Sequence, residues 1–295
     1  MLHTVTLNPA WDITYRVGKL HPGLHRAKTA EGRAGGKGIN VSRAIAKAGG
    51  TSAALAVLGG STGKRIAEAV EKEKLPLVPL WTEGETRTNI SVMSDTGESM
   101  EINGPGCPMN RECTENLAAY LAQNLRYGDI LCLCGSLPAV PSVSGSLYTH
   151  LCMGADMAGA RVVLDCSGEA LRAAVRCPCP PMLIKPNLPE LAELAGMSGE
   201  WEEPTVEEIR KAAESAVDIE KTAVLCTLGK EGAVWMDSER AVFVPAVPLE
   251  KAVCEKGAGD TYLGTFLWYR FGCEETVESS MEKAAKAAAA LVAGK

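Results

Sequence analysis

The segment Gly257-Ala258-Gly259-Asp260, near the carboxyl end of the 295-residue chain, combines residue types that suit anion chemistry. The apolar residues at 262–267 follow it with the i, i+1, i+4, i+5 spacing of a buried helix face. The predicted helix would carry Asp260 in its first turn, where the dipole favours an ionised carboxylate, beside the bare N–H groups of the glycine turn. A carboxylate base next to an anion hole is what phosphoryl transfer to an alcohol requires, although an aspartate at a helix start is also a common cap.

Glycine is also concentrated at 32–38, 59–63 and 229–232, at or near the predicted starts of helices. Such turns bind anions through their backbone N–H groups. The Gly-Lys pairs at 36–37 and 63–64, within glycine-rich turns, lack the other residues of a G-x-x-x-x-G-K-[ST] loop, and the GAG segment does not continue as G-x-G-x-x-G. The sequence therefore excludes these two nucleotide-binding motifs.

The segment GGSTG at 59–63 does match G-x-S-x-G, the nucleophile turn of esterases, and it stands between a predicted strand and a predicted helix. Under this hypothesis Ser61 is a nucleophile that needs a histidine after the last strand. Only His150 follows Ser61, and it lies near the middle of the chain. We therefore favour a simple glycine turn.

Charge, hydropathy and cysteine usage exclude further classes of protein. The net charge is −6 and no run of Lys and Arg exceeds two residues, so we expect no nucleic-acid partner, although local donors can still bind small anions. No apolar run reaches the roughly 18–20 residues of a membrane helix, and we expect neither a membrane span nor a signal peptide. The eleven cysteines are odd in number and scattered, which predicts reduced thiols and a cytoplasmic location.

Strand-like and helix-like patterns alternate along the chain. Apolar runs predict strands at 2–7, 52–58, 129–134, 161–165, 182–184 and 222–226. Amphipathic stretches predict helices near 38–48, 63–74, 111–125, 142–158, 187–195, 205–216, 259–271 and 275–293. This alternation indicates an α/β fold with a mostly parallel sheet and helices on both faces.

Two segments, 11–31 and 87–101, break this alternation. Each alternates apolar and polar residues with a period of two, around a Pro-Gly pair in the first and a Thr-Gly pair in the second. We interpret them as a small accessory sheet that acts as a lid or an interface. Trp11, Ile13 and Tyr15 lie on one parity, and two short hairpins cannot bury both faces against one core. A second copy of the sheet would cover the outer face, which predicts a homodimer through the lid.

Nine ordered segments carry a resemblance to a known family. They are TLNPAWD at 6–12, AGGKGINVSR at 34–43, TRTN at 86–89, EINGPG at 101–106, GSLP at 135–138, DCSGEAL at 165–171, IKPNLPEL at 184–191, LGKEGA at 228–233 and GAGD at 257–260. From residue 4 to about residue 290, the chain resembles the PfkB branch of the ribokinase-like sugar kinases. Within that branch it is similar to the 1-phosphofructokinase/tagatose-6-phosphate kinase group.

The resemblance implies a three-layer α/β/α ribokinase-like core with a mostly parallel sheet and a small β-sheet lid. It implies one kinase domain over residues 1–295, with lid strands inserted at about 11–31 and 87–101. It further implies ATP with Mg²⁺ as phosphoryl donor and a ketohexose phosphate as acceptor, with fructose 1-phosphate converted to fructose 1,6-bisphosphate as the main hypothesis. The alternatives are tagatose 6-phosphate or fructose 6-phosphate as acceptor, and a non-catalytic pseudokinase that binds sugar phosphates.

The resemblance also assigns residues to three groups. The catalytic group consists of the base Asp260 and the anion-hole residues Gly257, Ala258 and Gly259. The acceptor-binding group consists of Asp12, Gly35, Gly36, Lys37, Asn40 and Arg87. The nucleotide-binding group consists of Lys185, Asn187, Glu190, Thr227, Gly229 and Gly232.

Within the acceptor group, the resemblance implies that Asp12 and Asn40 hold sugar hydroxyls, while the glycine pair lets the sugar approach the backbone. Lys37 and Arg87 are the candidates for the phosphate that the sugar already carries, since arginine binds phosphate in a bidentate manner. Each could instead be a solvated surface cation.

Within the nucleotide group, Asn187 and Glu190 match the family's N-x-x-E element, in which the glutamate places Mg²⁺ through water. The same pair is also a good helix start, with an N-cap and a carboxylate at the third position. Lys185 and the turn at 227–232 correspond to positions where the family binds nucleotide phosphates and ribose.

The chain departs from the family pattern at four places. Glu255-Lys256 stands before the GAGD segment, where a small or hydroxyl residue and then an apolar one are usual, so we expect a carboxylate beside the nucleotide phosphates. Ala139-Val140 follows GSLP in place of Pro-Gly, and Ser42 stands where alanine is usual. The last helix has alanine where glycine is usual and stops early, which we expect to alter a wall of the adenine pocket.

Overall fold

The computed structural model describes residues 1–138, 147–197, 201, 203–253 and 255–294, in which two β-sheets are surrounded by helices. The strands of this part of the chain are β1 (Leu2–Thr6), β2 (Ala10–Val17), β3 (Thr29–Gly35), β4 (Ala53–Leu58), β5 (Leu77–Trp81), β6 (Arg87–Ser94), β7 (Ser99–Asn103), β8 (Ile130–Cys134), β9 (Arg161–Asp165), β10 (Leu183–Ile184), β11 (Ala223–Thr227), β12 (Gly232–Met236) and β13 (Ala241–Pro245). The helices are α1 (Lys37–Lys47), α2 (Gly60–Lys72), α3 (Arg111–Asn124), α4 (Leu147–Met157), α5 (Gly168–Val175), α6 (Leu188–Leu194), α7 (Val206–Ala216), α8 (Ala258–Leu267) and α9 (Val277–Val292).

The larger sheet has nine strands in the order β13-β12-β11-β10-β9-β8-β1-β4-β5. Its strands pair in parallel from β5 to β11, and β12 and β13 extend that edge in antiparallel pairing. Both faces of the sheet are covered, which is why β4 and β8 are apolar and buried at every residue. The predicted mostly parallel sheet is confirmed.

Helices cover this sheet on both sides. Successive residues of β8 point to opposite faces, so Leu131 and Leu133 join one buried cluster while Ile130 and Cys132 join another. The first cluster includes residues of α3 to α7, and the second includes residues of α1, α8 and α9. This is the three-layer α/β/α arrangement that the resemblance implies.

Every predicted strand and helix of the core corresponds to an element of the structure. The helix expected at 259–271 is shorter, because α8 ends at Leu267 and a π-helical turn, Trp268–Gly272, follows it. Residues 142–146 of another predicted helix, and Ala139-Val140 after the GSLP segment, lie outside the described residues. The sequence patterns missed β5, β12, β13 and α5.

The smaller sheet has four strands in the order β3-β2-β6-β7, formed by the two segments that break the alternation. The pairings β2–β3 and β6–β7 are antiparallel hairpins, as expected, and β2 pairs with β6 in parallel. We call this sheet the lid. On one face of it the register aligns Asp12 with Arg33 and Asn89, so that face is polar.

The other face of the lid is apolar and is covered in part by the chain itself. Trp11 is buried against α2, where the guanidinium of Arg65 stacks on its ring at 4.0 Å. Further along the same face, Met100 and Ile102 are 45% and 54% exposed. The expectation of an uncovered outer face is therefore wrong near Trp11, and it holds near β7.

Among the described residues, no helix combines the length and the apolar character needed to cross a bilayer.

Candidate active site

The carboxyl ends of the central parallel strands gather the chemistry-bearing side chains. Asp165 ends β9, Lys185 follows β10, and Asn8 follows β1. The N-terminus of α8, with Asp260, lies beside them, as the ion pairs and hydrogen bonds below show. Sites at this edge are expected in open α/β sheets, because the loops that leave parallel strands diverge there.

The turn at the start of α8 contains Gly257, Ala258 and Gly259, which we expect to form an anion hole. Gly257 is its N-cap with φ of 84°, a left-handed conformation that a residue with a Cβ rarely adopts. Ala258 N donates to Glu255 O at 3.1 Å and so closes the turn. A Cβ on Gly259 would lie 3.5 Å from Lys185 Nζ, so the backbone of the turn faces that ammonium closely.

Asp260 lies in the first turn of α8 and is only 8% exposed. Its Oδ2 accepts a hydrogen bond of 2.8 Å from Asn40 Nδ2. Burial, and next the nearby Asp165 carboxylate, raise the pKa of Asp260, while the Asn40 hydrogen bond and the two lysines described below oppose that rise. A raised pKa makes this carboxylate a stronger base than an ordinary aspartate.

Asp165 is fully buried between two lysines. Lys37 Nζ donates to its Oδ1 at 2.9 Å, and Lys185 Nζ lies 3.4 Å from Oδ2, an ion-pair contact in which Oδ2 makes no hydrogen bond of good geometry. Burial would raise the pKa of Asp165, but Lys185 and Lys37 outweigh it and hold the pKa below its usual value. Burial would likewise lower the pKa of Lys37, yet the facing Asp165 raises it.

The polar face of the lid carries Asp12, which we expect to bind the acceptor sugar. Asp12 Oδ1 accepts from Asn89 Nδ2 at 2.9 Å. A Cβ on Gly35 would lie 2.3 Å from Asp12 Oδ2 and one on Gly36 would lie 2.6 Å from Thr6 Cγ2, so neither position has room for a side chain. Gly35 therefore allows Asp12 to lie against the backbone, and Gly36 does the same for Thr6.

Arg87 and Lys37 have different hydrogen-bond partners. Its NH2 donates to Asn8 O at 3.0 Å, and Asn8 Nδ2 donates to Ser136 Oγ at 3.1 Å. Burial lowers the pKa of Arg87, and Asp12 opposes that shift. The two cations that we expect to share one phosphate thus have different partners. Arg87 contacts the backbone of Asn8, whereas Lys37 faces Asp165.

Several residues of this constellation escaped the sequence analysis. Asp165, Asn89, Ser136 and Asn8 were within quoted family segments, but none was singled out as a candidate. The only indication of these residues in the sequence is that they lie in the segments DCSGEAL, TRTN, GSLP and TLNPAWD. Their partners are far away in sequence, so spacing alone could not have joined them.

Among the residues that we expect to bind the nucleotide, Asn187 and Glu190 form a complete capping box at the start of α6, with hydrogen bonds of 2.8 and 2.9 Å. Asn187 also bridges to Thr227 at the end of β11, which brings the two predicted nucleotide segments together. Gly229 begins the next turn with φ of 58°. A Cβ on Gly232 would lie 2.2 Å from Val244 O, so this glycine serves close packing of β12 against β13.

The sequence profile described as "pfkB family carbohydrate kinase" matches residues 5–295. The chain belongs to that family. It is 36% identical over 270 residues to 1-phosphofructokinase of Bacillus subtilis (strain 168), covering 90% of this chain and 84% of that one. It is 34% identical over 266 residues to ATP-dependent 6-phosphofructokinase isozyme 2 of Escherichia coli (strain K12), covering 89% and 83% of the two chains.

Solved structures show the same fold. Phosphofructokinase-2 of Escherichia coli in complex with fructose-6-phosphate matches this pfkB kinase with a TM-score of 0.89 and 31% identity, over 99% of this chain and 94% of that one. A tetrameric inhibited form of phosphofructokinase-2 from Escherichia coli matches with a TM-score of 0.89. The predicted family and the predicted ribokinase-like α/β fold are confirmed.

The esterase alternative fails on local chemistry as well as on family. Ser61 Oγ donates to Glu85 Oε1 at 2.9 Å, and Glu85 also accepts from the backbone N–H groups of Ser61 and Thr62. Hydrogen bonds from Thr62, and then from Ser61, lower the pKa of Glu85 to about 2. Such a carboxylate is too weak a base to activate a serine, and its role in this pfkB kinase is to cap α2.

The departures from the family pattern have local explanations. Lys256 turns toward the lid, where its Nζ lies 3.6 Å from Asp12 Oδ2, and it lines a cavity of ≈ 190 Å³ beside Asn40. The hydroxyl of Ser42 is buried and is hydrogen-bonded to Thr4 at 2.8 Å and to Ser52 at 2.9 Å. A buried serine is thereby satisfied where alanine is usual.

Proposed function

We propose that this pfkB kinase transfers a phosphoryl group from ATP to a ketohexose phosphate, with fructose 1-phosphate as acceptor and fructose 1,6-bisphosphate as product. The observation that carries the proposal is the buried Asp260 at the N-terminus of α8, beside the glycine turn and facing Lys37 and Lys185. The similarity to enzymes named 1-phosphofructokinase supports this choice of acceptor.

The chain's own residues account for the transfer step. Asp260 accepts the proton of the acceptor hydroxyl, whose oxygen forms the new bond to phosphorus as the bond to the leaving ADP breaks. The glycine turn and the two lysines stabilise negative charge on the transferred group. Because Asp165 holds Lys37 and Lys185 on either side of itself, it fixes the positions of both ammonium groups.

The residues present fit a nucleotide. The α8 N-terminus offers backbone N–H groups next to Lys185, which suits phosphate oxygens. When bound with ATP, Mg²⁺ neutralises charge on the phosphates. Among the described residues, no group of three or more His, Cys, Asp or Glu side chains could hold a metal ion. We therefore assign Glu190 the role of orienting Mg²⁺ through a water molecule, with the nucleotide rather than the protein supplying the direct ligands.

The polar face of the lid is proposed to bind the acceptor. Asp12 and Asn40 would accept and donate hydrogen bonds to sugar hydroxyls, and Arg87 would bind the phosphate that the acceptor already carries, together with Ser136 and the Asn8 amide. Arg87 is half-buried, so a phosphate beside it would be partly desolvated and held through charge-assisted bonds. Lys37 is assigned instead to the transferred phosphoryl, because it faces Asp165 and lies in the field of Asp260.

Substitution of the proposed base provides the first test. Asp260→Asn keeps size and shape but cannot accept the hydroxyl proton, so we expect kcat to fall by at least ~10²-fold with little change in sugar-phosphate binding. Coupled ADP release measures turnover, and titration calorimetry measures binding. If Asp260→Asn turns over at close to the wild-type rate, Asp260 is not the base. If the wild-type protein itself binds sugar phosphates but shows no turnover, the pseudokinase alternative is correct.

A panel of acceptors distinguishes the kinase alternatives. Fructose 1-phosphate, fructose 6-phosphate, tagatose 6-phosphate and free fructose should be compared by kcat/KM in the same coupled assay. We expect fructose 1-phosphate to be the best and free fructose to be poor. The second candidate is fructose 6-phosphate, because a relative named 6-phosphofructokinase is 34% identical.

Arg87→Met should raise KM for every phosphorylated acceptor by about 30-fold or more, and it should leave KM for free fructose nearly unchanged.

The apolar face of the lid supports a homodimer. Met100 and Ile102 are exposed on the part of that face that α2 does not cover, and a second lid packed on it by a two-fold axis would bury them. Light scattering at micromolar concentration should then give about twice the mass of one chain, and Ile102→Glu should reduce it to one. A fully active wild-type monomer would contradict the dimer, and a mass of four chains would require a second interface.

We also propose a cytoplasmic location. All ten cysteines that the structure describes are free thiols, which suits a reducing compartment. Non-reducing electrophoresis of the protein purified without thiol reagents should show no intermolecular or intramolecular disulfide.

A further inference from the structure

Asn40 stands between the proposed base and two arginines. Its Nδ2 donates to Asp260 Oδ2 at 2.8 Å. Its Oδ1 accepts from Arg43 NH1 at 2.7 Å and from Arg33 NH2 at 3.3 Å. The amide of Asn40 thus connects a cationic group with a catalytic carboxylate.

The chemistry of these neighbours permits only one orientation of that amide. A carboxylate accepts hydrogen bonds and a guanidinium only donates them. With the amide of Asn40 turned over, its carbonyl oxygen would face Asp260 and its NH2 would face Arg43, so both contacts would be repulsive. The arginines thus reinforce the orientation that Asp260 requires and hold the carbonyl end of the amide away from the base.

Arg43 is the principal of the two arginines. Its Nε and NH2 form a two-point ion pair with Glu73, at 2.5 and 2.8 Å, just beyond the end of α2, which leaves NH1 directed at Asn40. Its side chain is only 17% exposed. Arg33, by contrast, belongs to an exposed part of the lid and donates over a longer distance.

We propose that Arg43 is a positioning residue for phosphoryl transfer: held by Glu73, it fixes the Asn40 amide so that Nδ2 stays directed at Asp260. The inference rests on the proposed function, in which Asp260 is the general base. The series Glu73–Arg43–Asn40–Asp260 connects the end of α2, the first turns of α1 and the start of α8. It gives the base a donor that keeps one carboxylate oxygen in a fixed direction.

This arrangement has a consequence for the pH profile. The groups that face Asp260 are Lys37 of α1, Lys185 after β10, Asp165 of β9 and the Cys134 thiol of β8, in addition to Asn40. A hydrogen bond donated to an ionised carboxylate stabilises the ionised form. If Asn40 loses its fixed orientation, the pKa of Asp260 rises, and the acid limb of kcat/KM moves to higher pH.

The experiment compares Arg43→Met with the wild type in the coupled ADP-release assay, from pH 5 to pH 9. A hydrogen bond to a charged group is worth on the order of one to two pKa units, so misalignment of this one should move the acid limb upward by about one unit. Arg172→Met is the matched control, since Arg172 pairs with Glu169 and Glu193 at α5 and α6, away from the site. We expect the control to keep the wild-type profile.

Two further variants keep the test decisive. Arg43→Lys preserves the charge and most of the packing, yet a single shorter ammonium cannot reproduce the guanidinium fork, so it should shift the limb in the same direction. In an Asn40→Ala background, Arg43→Met should add no further shift, because its effect passes through Asn40.

The outcomes separate this inference from the proposed function. If folded Arg43→Met and Arg43→Lys proteins keep the wild-type acid limb while Asp260→Asn is inactive, the positioning role is wrong and the assignment of the base stands. Turnover by Asp260→Asn would overturn both. Thermal melting of each variant shows which proteins are folded, and Arg43→Lys alone is sufficient for the test if Arg43→Met does not fold.

Discussion

Replacement of Asp165 by asparagine should destabilise the protein strongly, because it removes the fully buried central charge from a group of three. Asp165 is 0% exposed, and both of its oxygens lie within ion-pair distance of a lysine ammonium. In Asp165→Asn the shape is kept, but the side chain no longer neutralises Lys37 and Lys185. Its NH2 group would also point at an ammonium, which cannot accept a hydrogen bond.

The size of the effect follows from the exposure of the partners. Loss of one member of a buried ion pair destabilises a protein by about 3–5 kcal/mol, because the remaining charge is buried without compensation. The Lys185 side chain is 6% exposed and that of Lys37 is 38% exposed, so water can solvate Lys37 in part. We therefore expect the free energy of unfolding to fall by roughly 3 kcal/mol, equivalent to about 5 °C in Tm for a chain of this length.

Urea unfolding at pH 7, monitored by tryptophan fluorescence, measures this loss. The matched control is Asp95→Asn, since Asp95 also pairs with a lysine, Lys28, but the two side chains are 55% and 60% exposed. An exposed pair contributes about 0–1 kcal/mol, so the control should lose no more than that. Equal losses in Asp165→Asn and Asp95→Asn would refute the argument from burial. A loss below about 1 kcal/mol in Asp165→Asn would mean that the lysines are neutral or solvated.

Two other perturbations have definite expected outcomes. The pKa of Glu85 is lowered from 4.5 to about 2 in the folded state, so the stability that it adds is present above pH 4.5 and is lost as the pH falls toward 2. Glu85→Gln should abolish this part of the acid dependence of unfolding. An unchanged acid dependence would show that the hydrogen bonds from Ser61 and Thr62 do not stabilise the protein. Lys256→Met removes the ammonium near Asp12 and should change KM for the acceptor more than KM for ATP, and the opposite ranking in the coupled assay would place Lys256 with the nucleotide.

The elements of the core could be predicted from the sequence because their patterns are local. The helix α8 was predicted from a glycine turn followed by an apolar stripe, and β4 and β8 from unbroken apolar runs. The strands β5 and β13 were missed because each is a strand of only five residues at an edge of the larger sheet. An edge strand is only half-enclosed, so its sequence carries a weaker signal.

The site could be predicted only in part. Asp260 and the glycine turn could be found because one helix start carries them all. The partners of Asp165 lie 128 residues before it and just after the next strand, and no periodicity connects such positions. Lys37 shows the same limit, since residue type suggested a sugar-phosphate contact, whereas the tertiary structure turns its ammonium to Asp165. Lys256 follows Glu255 directly in the sequence, but its ammonium lies near Asp12 of the lid, at 3.6 Å from Oδ2.

The balance of charge in the site explains how a chain of net charge −6 can bind two phosphorylated substrates. Charges separated by more than about 8–10 Å of solvent are largely screened at physiological ionic strength, so the acidic surface has little effect on a ligand in the cleft. In the proposed site the phosphates would meet Lys37, Lys185 and Arg87, which are all at least partly withdrawn from water, together with the α8 N-terminus. Asp165 offsets part of the repulsion between the two lysines before substrate arrives. The cost of gathering these cations is thus reduced within the folded protein, and the phosphates meet donors that are already in place.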